Sequence, residues 1–104
     1  MKGKKDQLSF SENCYNFLRR VPKGKVVTYK QIAEQLGTKA YRAVGNAMNK
    51  NKDKKIFCHR VVNSNSRIGG FNRGKKEKIR LLEKEGVKIV KGKIDLKKYR
   101  YRFY

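Results

Sequence analysis

Gly37 divides two short stretches of helical periodicity, and that division most limits the fold this chain can adopt. Upstream, Thr28-Tyr29-Lys30-Gln31 has the spacing of a capping box, in which threonine and glutamine side chains satisfy each other's backbone donors. Ile32, Ala33 and Leu36 then form an apolar face that stops at Gly37, a residue able to close a helix in the left-handed conformation. Downstream, Thr38 can cap a further helix on which Ala40, Ala43, Val44, Ala47 and Met48 recur at spacings of three and four, ending near residues 49–51. Two short helices joined through glycine read as a helix-turn-helix, the second being the recognition helix. Its small residues allow a nearer approach to a partner than a lysine-studded helix could make; close packing between helices explains them equally well.

An earlier helix is expected from the spacing of Phe10, Cys14, Phe17, Leu18 and Val21, with Ser9 or Ser11 as its cap and Pro22 ending the run. Residues 56–62 read as a short extended or buried stretch, and 63–74 as a loop rich in Asn, Ser and Gly, a candidate pocket wall. Residues 75–85 form a helix with Ile79 and Leu82 inward and Gly86 at its end; 87–90 and 93–96 look like a hairpin around Gly92. The expected fold is mainly α with a small β element, a winged-helix-like helix-turn-helix in a single domain over residues 1–104. Residues 1–6 are expected to be a disordered basic tail, and 97–104 either a solvated tail or phosphate contacts.

Twenty-nine Lys+Arg against eight Asp+Glu leave a formal charge of +21, far more than solubility needs. A polyanionic partner follows, with nucleic acid the first expectation. An anionic membrane surface is the competing reading, but the basic residues are scattered along the whole chain and there is no apolar span or signal-peptide core. A soluble, cytoplasmic monomer is expected. Cys14 and Cys58 lie far apart, so reduced thiols fit better than a disulfide. One histidine and two distant cysteines do not make a zinc site, and no metal or cofactor is expected.

Cys58-His59-Arg60-Val61-Val62 carries the chemistry. A thiol is nucleophilic only as thiolate, which a positive setting and a nearby base promote. Neighbours on an extended segment point to opposite faces, so His59 would reach Cys58 through water. Taken alone, a buried cysteine beside a hydrogen-bonded core histidine is the commoner arrangement. The surrounding residues reverse that balance. This string and Ile68-Gly69-Gly70-Phe71 resemble the active-site and loop signature of O6-alkylguanine-DNA alkyltransferases. The likeness extends upstream to Val21-Pro22-Lys23-Gly24-Lys25-Val26-Val27-Thr28-Tyr29 and Arg42-Ala43-Val44-Gly45-Asn46-Ala47-Met48. Downstream it takes in Leu81-Leu82-Glu83-Lys84-Glu85-Gly86 and Gly92-Lys93-Ile94-Asp95-Leu96, in the family's order.

The resemblance implies repair of double-stranded DNA containing O6-alkylguanine, with the alkyl group moved once and irreversibly to Cys58. It makes His59 the base acting through water and Glu85 the group that orients it. Tyr29 matches a tyrosine that handles the target phosphate and donates to guanine N3. Arg42 matches the arginine filling the space of the flipped nucleotide, since the lesion must leave the duplex to meet a thiol. Asn51 matches an asparagine tying the recognition helix to the active-site segment. Thr28, Ala43, Gly45, Asn46, Ala47 and Arg60 complete the expected DNA contacts, and Val61, Phe71, Asn72 and Met48 the expected pocket. The resemblance implies minor-groove docking, unlike the usual major-groove use of the motif. Phe57 stands where the family usually has proline, Phe71 where many members have tyrosine, and the family's amino-terminal domain has no counterpart. Alkyltransferase-like proteins, which bind alkylated guanine without repairing it and generally lack the cysteine, supply the alternative function.

Overall fold

The computed structural model describes residues 9–103; the tail expected over residues 1–6 lies outside the described residues. Among the described residues, five helices and two two-stranded sheets follow in order: α1 (Phe10–Leu18), β1 (Val27–Thr28), α2 (Tyr29–Gln35), α3 (Tyr41–Lys50), β2 (Val61–Val62), α4 (Lys75–Lys84), β3 (Ile89–Val90), β4 (Lys93–Ile94) and α5 (Leu96–Tyr99). A 3₁₀ turn over Cys58–Arg60 precedes β2. The chain is thus mainly helical, and α2 and α3 form the helix-turn-helix.

Ser9 caps α1 by accepting from the Glu12 amide at 3.1 Å. The helix stops at Leu18, short of the Val21-Pro22 end expected; Val21 is nonetheless buried, in a turn closed by its amide donating to the Leu18 carbonyl. The capping box of α2 forms as expected, Gln31 N to Thr28 Oγ1 at 3.0 Å and Thr28 N to Gln31 Oε1 at 2.9 Å. Thr28→Ala is expected to lower the unfolding free energy by about 1 kcal/mol in a urea titration. Gly37 adopts φ +71°, which bends the chain out of α2. Thr38 does not cap α3: its hydroxyl accepts from the Ala40 amide, and Ala40 itself occupies the cap position without a side-chain hydrogen bond.

β1 lies parallel to β2, with Val27 opposite Val61 and Thr28 opposite Val62. Side chains alternate across this short sheet. Val27 and Val61 therefore face one core, built with Cys14, Leu18, Ile32, Ala33, Val44, Ala47 and Met48 from α1 to α3. Val26 and Val62 face a second, built with Ile68, Leu82, Val87, Ile94 and Tyr99. The sheet is the seam between the two, and it fixes the start of α2 relative to the 3₁₀ turn.

Residues 97–103, the last described, are not a solvated tail. Val26 N donates to the Tyr99 carbonyl at 2.9 Å, Tyr101 N to the Val26 carbonyl at 2.8 Å, and Gln31 Nε2 to the Tyr101 carbonyl at 2.8 Å. Phe103 packs edge-on against Phe17 and Tyr101. The segment straps α1 to α2. Among the described residues, no helix is long and apolar enough to cross a membrane.

Candidate active site

Residues 56–62, expected to be a short extended or buried stretch, are buried except at Phe57 and make a 3₁₀ turn at Cys58–Arg60 before the strand begins. The reason lies in Glu85. In a strand, His59 and Arg60 would point to opposite faces; in a 3₁₀ turn successive side chains are about 120° apart, so both can reach one carboxylate. Glu85 Oε2 lies 2.9 Å from His59 Nε2 and 2.7 Å from an Arg60 terminal nitrogen, while Oε1 accepts from Arg60 Nε at 2.9 Å. Arg60 also donates to the Val21 carbonyl at 2.8 Å, which ties the turn to the end of α1. Gly86, at φ +94°, lets the chain leave α4 immediately after Glu85.

These contacts set the proton positions. Burial pushes the Glu85 carboxyl up, but the Arg60 and His59 hydrogen bonds outweigh it and leave the group below its ordinary range, ionised at neutral pH. Burial also holds His59 below the usual histidine value, only partly countered by Glu85, so the ring is neutral at pH 7. With Nε2 donating to the carboxylate, Nδ1 keeps a lone pair free to accept a proton.

Cys58 is 6 % exposed and lines a cavity of about 380 Å³ with Asn49, Asn51, Ile56, Phe71 and Asn72. Asn51 Nδ2 donates to Sγ at 3.2 Å and approaches the Ile56 carbonyl at 3.5 Å, so the asparagine does join the end of α3 to the cysteine segment. Asn72 Nδ2 donates to the carbonyls of Asn51 at 2.6 Å and Asn49 at 3.2 Å, fixing the loop wall. Phe71 is half-buried in that wall, with Arg73 stacked over its ring at 5.0 Å. Burial raises the Cys58 thiol above its ordinary value against the opposing effects of Asn51, Lys78 and Arg73, so the resting group is SH. His59 lines a different cavity, of about 320 Å³, with Phe57, Arg73 and Glu85. No hydrogen bond joins it to Cys58 among the described residues.

Phe57 keeps φ at −86°, within reach of the angle proline imposes, so the backbone of the family pattern survives the change. Its ring covers the Arg60 guanidinium at 4.2 Å and shields the ion pair.

Tyr29 is half-buried, and burial raises its hydroxyl above the ordinary value, which keeps it a proton donor. It lines an open cavity of about 560 Å³ with Arg42, Gly45 and Asn46 from α3. Four of the expected positions lie elsewhere. Thr28 is 2 % exposed with its hydroxyl spent in the capping box; Ala47 and Met48 belong to the core, Ala47 accepting from the Tyr15 hydroxyl at 2.6 Å. Arg60, expected at the DNA, is 6 % exposed and wholly engaged inside. Val61 is fully buried with its carbonyl accepting from Lys78, and Ala43 is partly buried on α3.

Lys78 escapes the sequence reading. It is fully buried, with Nζ donating to the carbonyls of Val61 at 2.7 Å and Gly70 at 2.9 Å and lying 5.9 Å from the centre of the Tyr29 ring. Burial lowers its pKa to about 7, and a charge on Cys58 would raise it. Its signal was positional: it sits four residues before inward-facing Leu82 on α4. No group of three potential metal ligands occurs among the described residues.

Residues 9–87 match the family model of the 6-O-methylguanine DNA methyltransferase DNA-binding domain. A methylated-DNA–protein-cysteine methyltransferase of Saccharolobus islandicus is 53 % identical over 81 residues, 77 % of this chain and 52 % of its own length. A bifunctional methyltransferase/endonuclease of Picrophilus torridus is 43 % identical over 89 residues, 84 % of this chain and 30 % of the relative. This chain therefore spans about half the first relative and less than a third of the second. Among solved structures, S. pombe Atl1 in complex with damaged DNA containing O6-carboxymethylguanine superposes with a TM-score of 0.81 at 31 % identity, covering 89 % of this chain and 94 % of that one. The O6-methylguanine-DNA methyltransferase of Pyrococcus kodakaraensis gives 0.70 at 41 %, covering 77 % and 47 %.

Proposed function

The chain belongs to the family of the 6-O-methylguanine DNA methyltransferase DNA-binding domain, and from that membership we propose that it repairs O6-alkylguanine in duplex DNA by taking the alkyl group onto Cys58. The single observation that carries the reading is the joint geometry of the site: Asn51 on the sulfur, and Glu85 on an imidazole whose other nitrogen is a free acceptor.

The chemistry balances without a cofactor. Cys58 loses its proton through a bridging water to His59 Nδ1, and the imidazolium is held by Glu85. The thiolate attacks the alkyl carbon in line, the S–C bond forms as the C–O6 bond breaks, and the electron pair stays on the purine. Tyr29 donates to that purine, which finally takes up one proton. The thioether cannot be cleaved by the same groups, so each molecule acts once.

Lys78 is the counter-charge for the thiolate, and Arg42 at the exposed start of α3 fills the vacated stack. The first-turn N–H groups of Arg42 and Ala43, which no side chain caps, suit a DNA phosphate. Arg42, Gly45 and Asn46 recur at spacings of three and one on the open side of α3, with small residues permitting close approach. The +21 charge makes binding strongly salt-dependent and weakly selective for sequence.

Incubation with a duplex containing O6-methylguanine is expected to replace one proton of the protein by one methyl group in the intact mass, mapped to Cys58. Cys58→Ala should bind the lesion and stay unmodified. The alternative is a lesion sensor, favoured by the superposition on S. pombe Atl1 over 94 % of that chain; tight lesion binding by the wild type with unchanged mass selects it. Equal affinity for damaged and undamaged duplexes overturns both.

A further inference from the structure

Tyr41 is the first residue of α3 and 41 % exposed, beside Arg42. Each other described tyrosine is engaged. Tyr15 bonds the Ala47 carbonyl, Tyr29 faces Lys78, Tyr99 lies under Lys98, and Tyr101 packs on Phe103. Tyr41 alone has no side-chain hydrogen bond, ring contact or cation contact among the described residues. Its ring instead walls the 560 Å³ groove that also holds Tyr29, Lys30 and Arg42.

A large ring at that position is 41 % exposed with no hydrogen-bond, ring or cation partner among the described residues, and water is a poor environment for it. The groove's other features select the occupant. Lys30 and Arg42 are exposed cations, and the uncapped amides of α3 add the positive end of a helix dipole. A polyanion meets those charges, and of the polyanions a nucleic acid also presents flat apolar faces. Aromatic side chains stack on bases of any identity, and apolar wedges at base steps hold a duplex open.

We propose that Tyr41 is a second wedge, stacking on the base pair next to the one Arg42 opens and so stabilising the extruded nucleotide. This rests on the proposed function, which supplies duplex DNA as the partner, and goes beyond it by assigning extrusion to two side chains of different chemistry. Arg42 enters the vacated stack and replaces the lost hydrogen bonding. Tyr41 replaces the lost stacking area.

The test uses the Cys58→Ala protein, which cannot react. Two measurements are made: affinity for an O6-methylguanine duplex, and emission of 2-aminopurine placed at the target position, which rises when that base leaves the stack. Adding Tyr41→Ala is expected to weaken binding about tenfold and to remove most of the emission rise at saturation. The dependence of affinity on salt should not change, because no charge is lost. Tyr41→Phe should match the parent, since the ring face rather than the hydroxyl does the stacking. A Tyr41→Ala protein equal to the parent in affinity and emission overturns the wedge alone, as does a Tyr41→Phe protein that fails like the alanine variant. A parent that neither prefers the lesion nor raises the emission overturns the proposed function with it.

Discussion

Lys78→Met is expected to slow methyl transfer about a hundredfold at pH 7.5, a loss of roughly 3 kcal/mol in stabilisation of the developing thiolate and its transition state. The physical reason is that Lys78 has no carboxylate partner: its ammonium is held by two carbonyls, fully buried, at a site where a thiolate would supply the missing counter-charge. Alkylation of Cys58 by iodoacetamide offers an independent check, since its pH profile should move to higher pH in the variant. Cys14 is silent in that assay, being completely buried with its pKa raised by burial to about 11. An unmoved alkylation profile would show that Lys78 merely braces the loop at Gly70.

The same lysine leaves a signature in stability. Its folded pKa of about 7 lies below the ordinary lysine value of 10.5, so between those values the unfolded chain binds more protons than the folded one. Stability then rises with pH across that window; below it both states are protonated and the slope vanishes. Between pH 7 and 8.5, beneath the ordinary thiol range, the wild type should gain roughly 1 to 2 kcal/mol in urea titrations. Lys78→Met should lose this slope. A functional charge placed in the core thus reduces stability under the conditions where it works, a common tension at active sites.

What could be read in the sequence was local or carried by the family likeness. The Thr28-Gln31 reciprocity and Gly37 are visible because each is decided within a few residues, and they give the helix-turn-helix correctly. The capping of α3 was misread because Thr38 lies two residues too early to reach the helix amides. The parallel pairing of Val27-Thr28 with Val61-Val62 joins two-residue strands far apart in sequence, too short for periodicity to register. The 3₁₀ turn is dictated by a carboxylate 25 residues away from Arg60, so residues 56–62 alone could not announce it. Arg60 and Lys78 show the same difficulty differently. In a chain with 29 basic residues each reads as one more surface charge, and only the packing reveals that these two are interior. The resemblance implied Thr28 and Ala47 at the DNA and Met48 in the pocket, but the Thr28 hydroxyl closes the capping box of α2 and the other two lie in the core.

Glu85→Gln is expected to lose both stability and transfer, and the two losses can be separated by pH. An amide has one acceptor oxygen where the carboxylate offers two, so its NH₂ must face Arg60 or His59 donors. The buried guanidinium loses its counter-charge, a change that costs about 3 to 5 kcal/mol and is read from the urea midpoint. The carboxylate also sits at the C-terminal end of α4, where the helix dipole opposes it, and its ion pair with Arg60 offsets that placement. Transfer at pH 7.5 should fall on the order of a hundredfold or more. The distinguishing measurement is the acid limb of the rate profile. In the wild type the rate falls as pH drops below the ordinary histidine range, because protonated His59 cannot accept a proton. Glu85 raises the His59 pKa while Arg60 lowers it. Glu85→Gln must therefore move the limb to lower pH, and Arg60→Met, which breaks the same ion pair, must move it to higher pH. A purely structural role predicts no such opposition. If both variants are destabilised but leave the limb in place, His59 is not the base, and the thiol must lose its proton by another route.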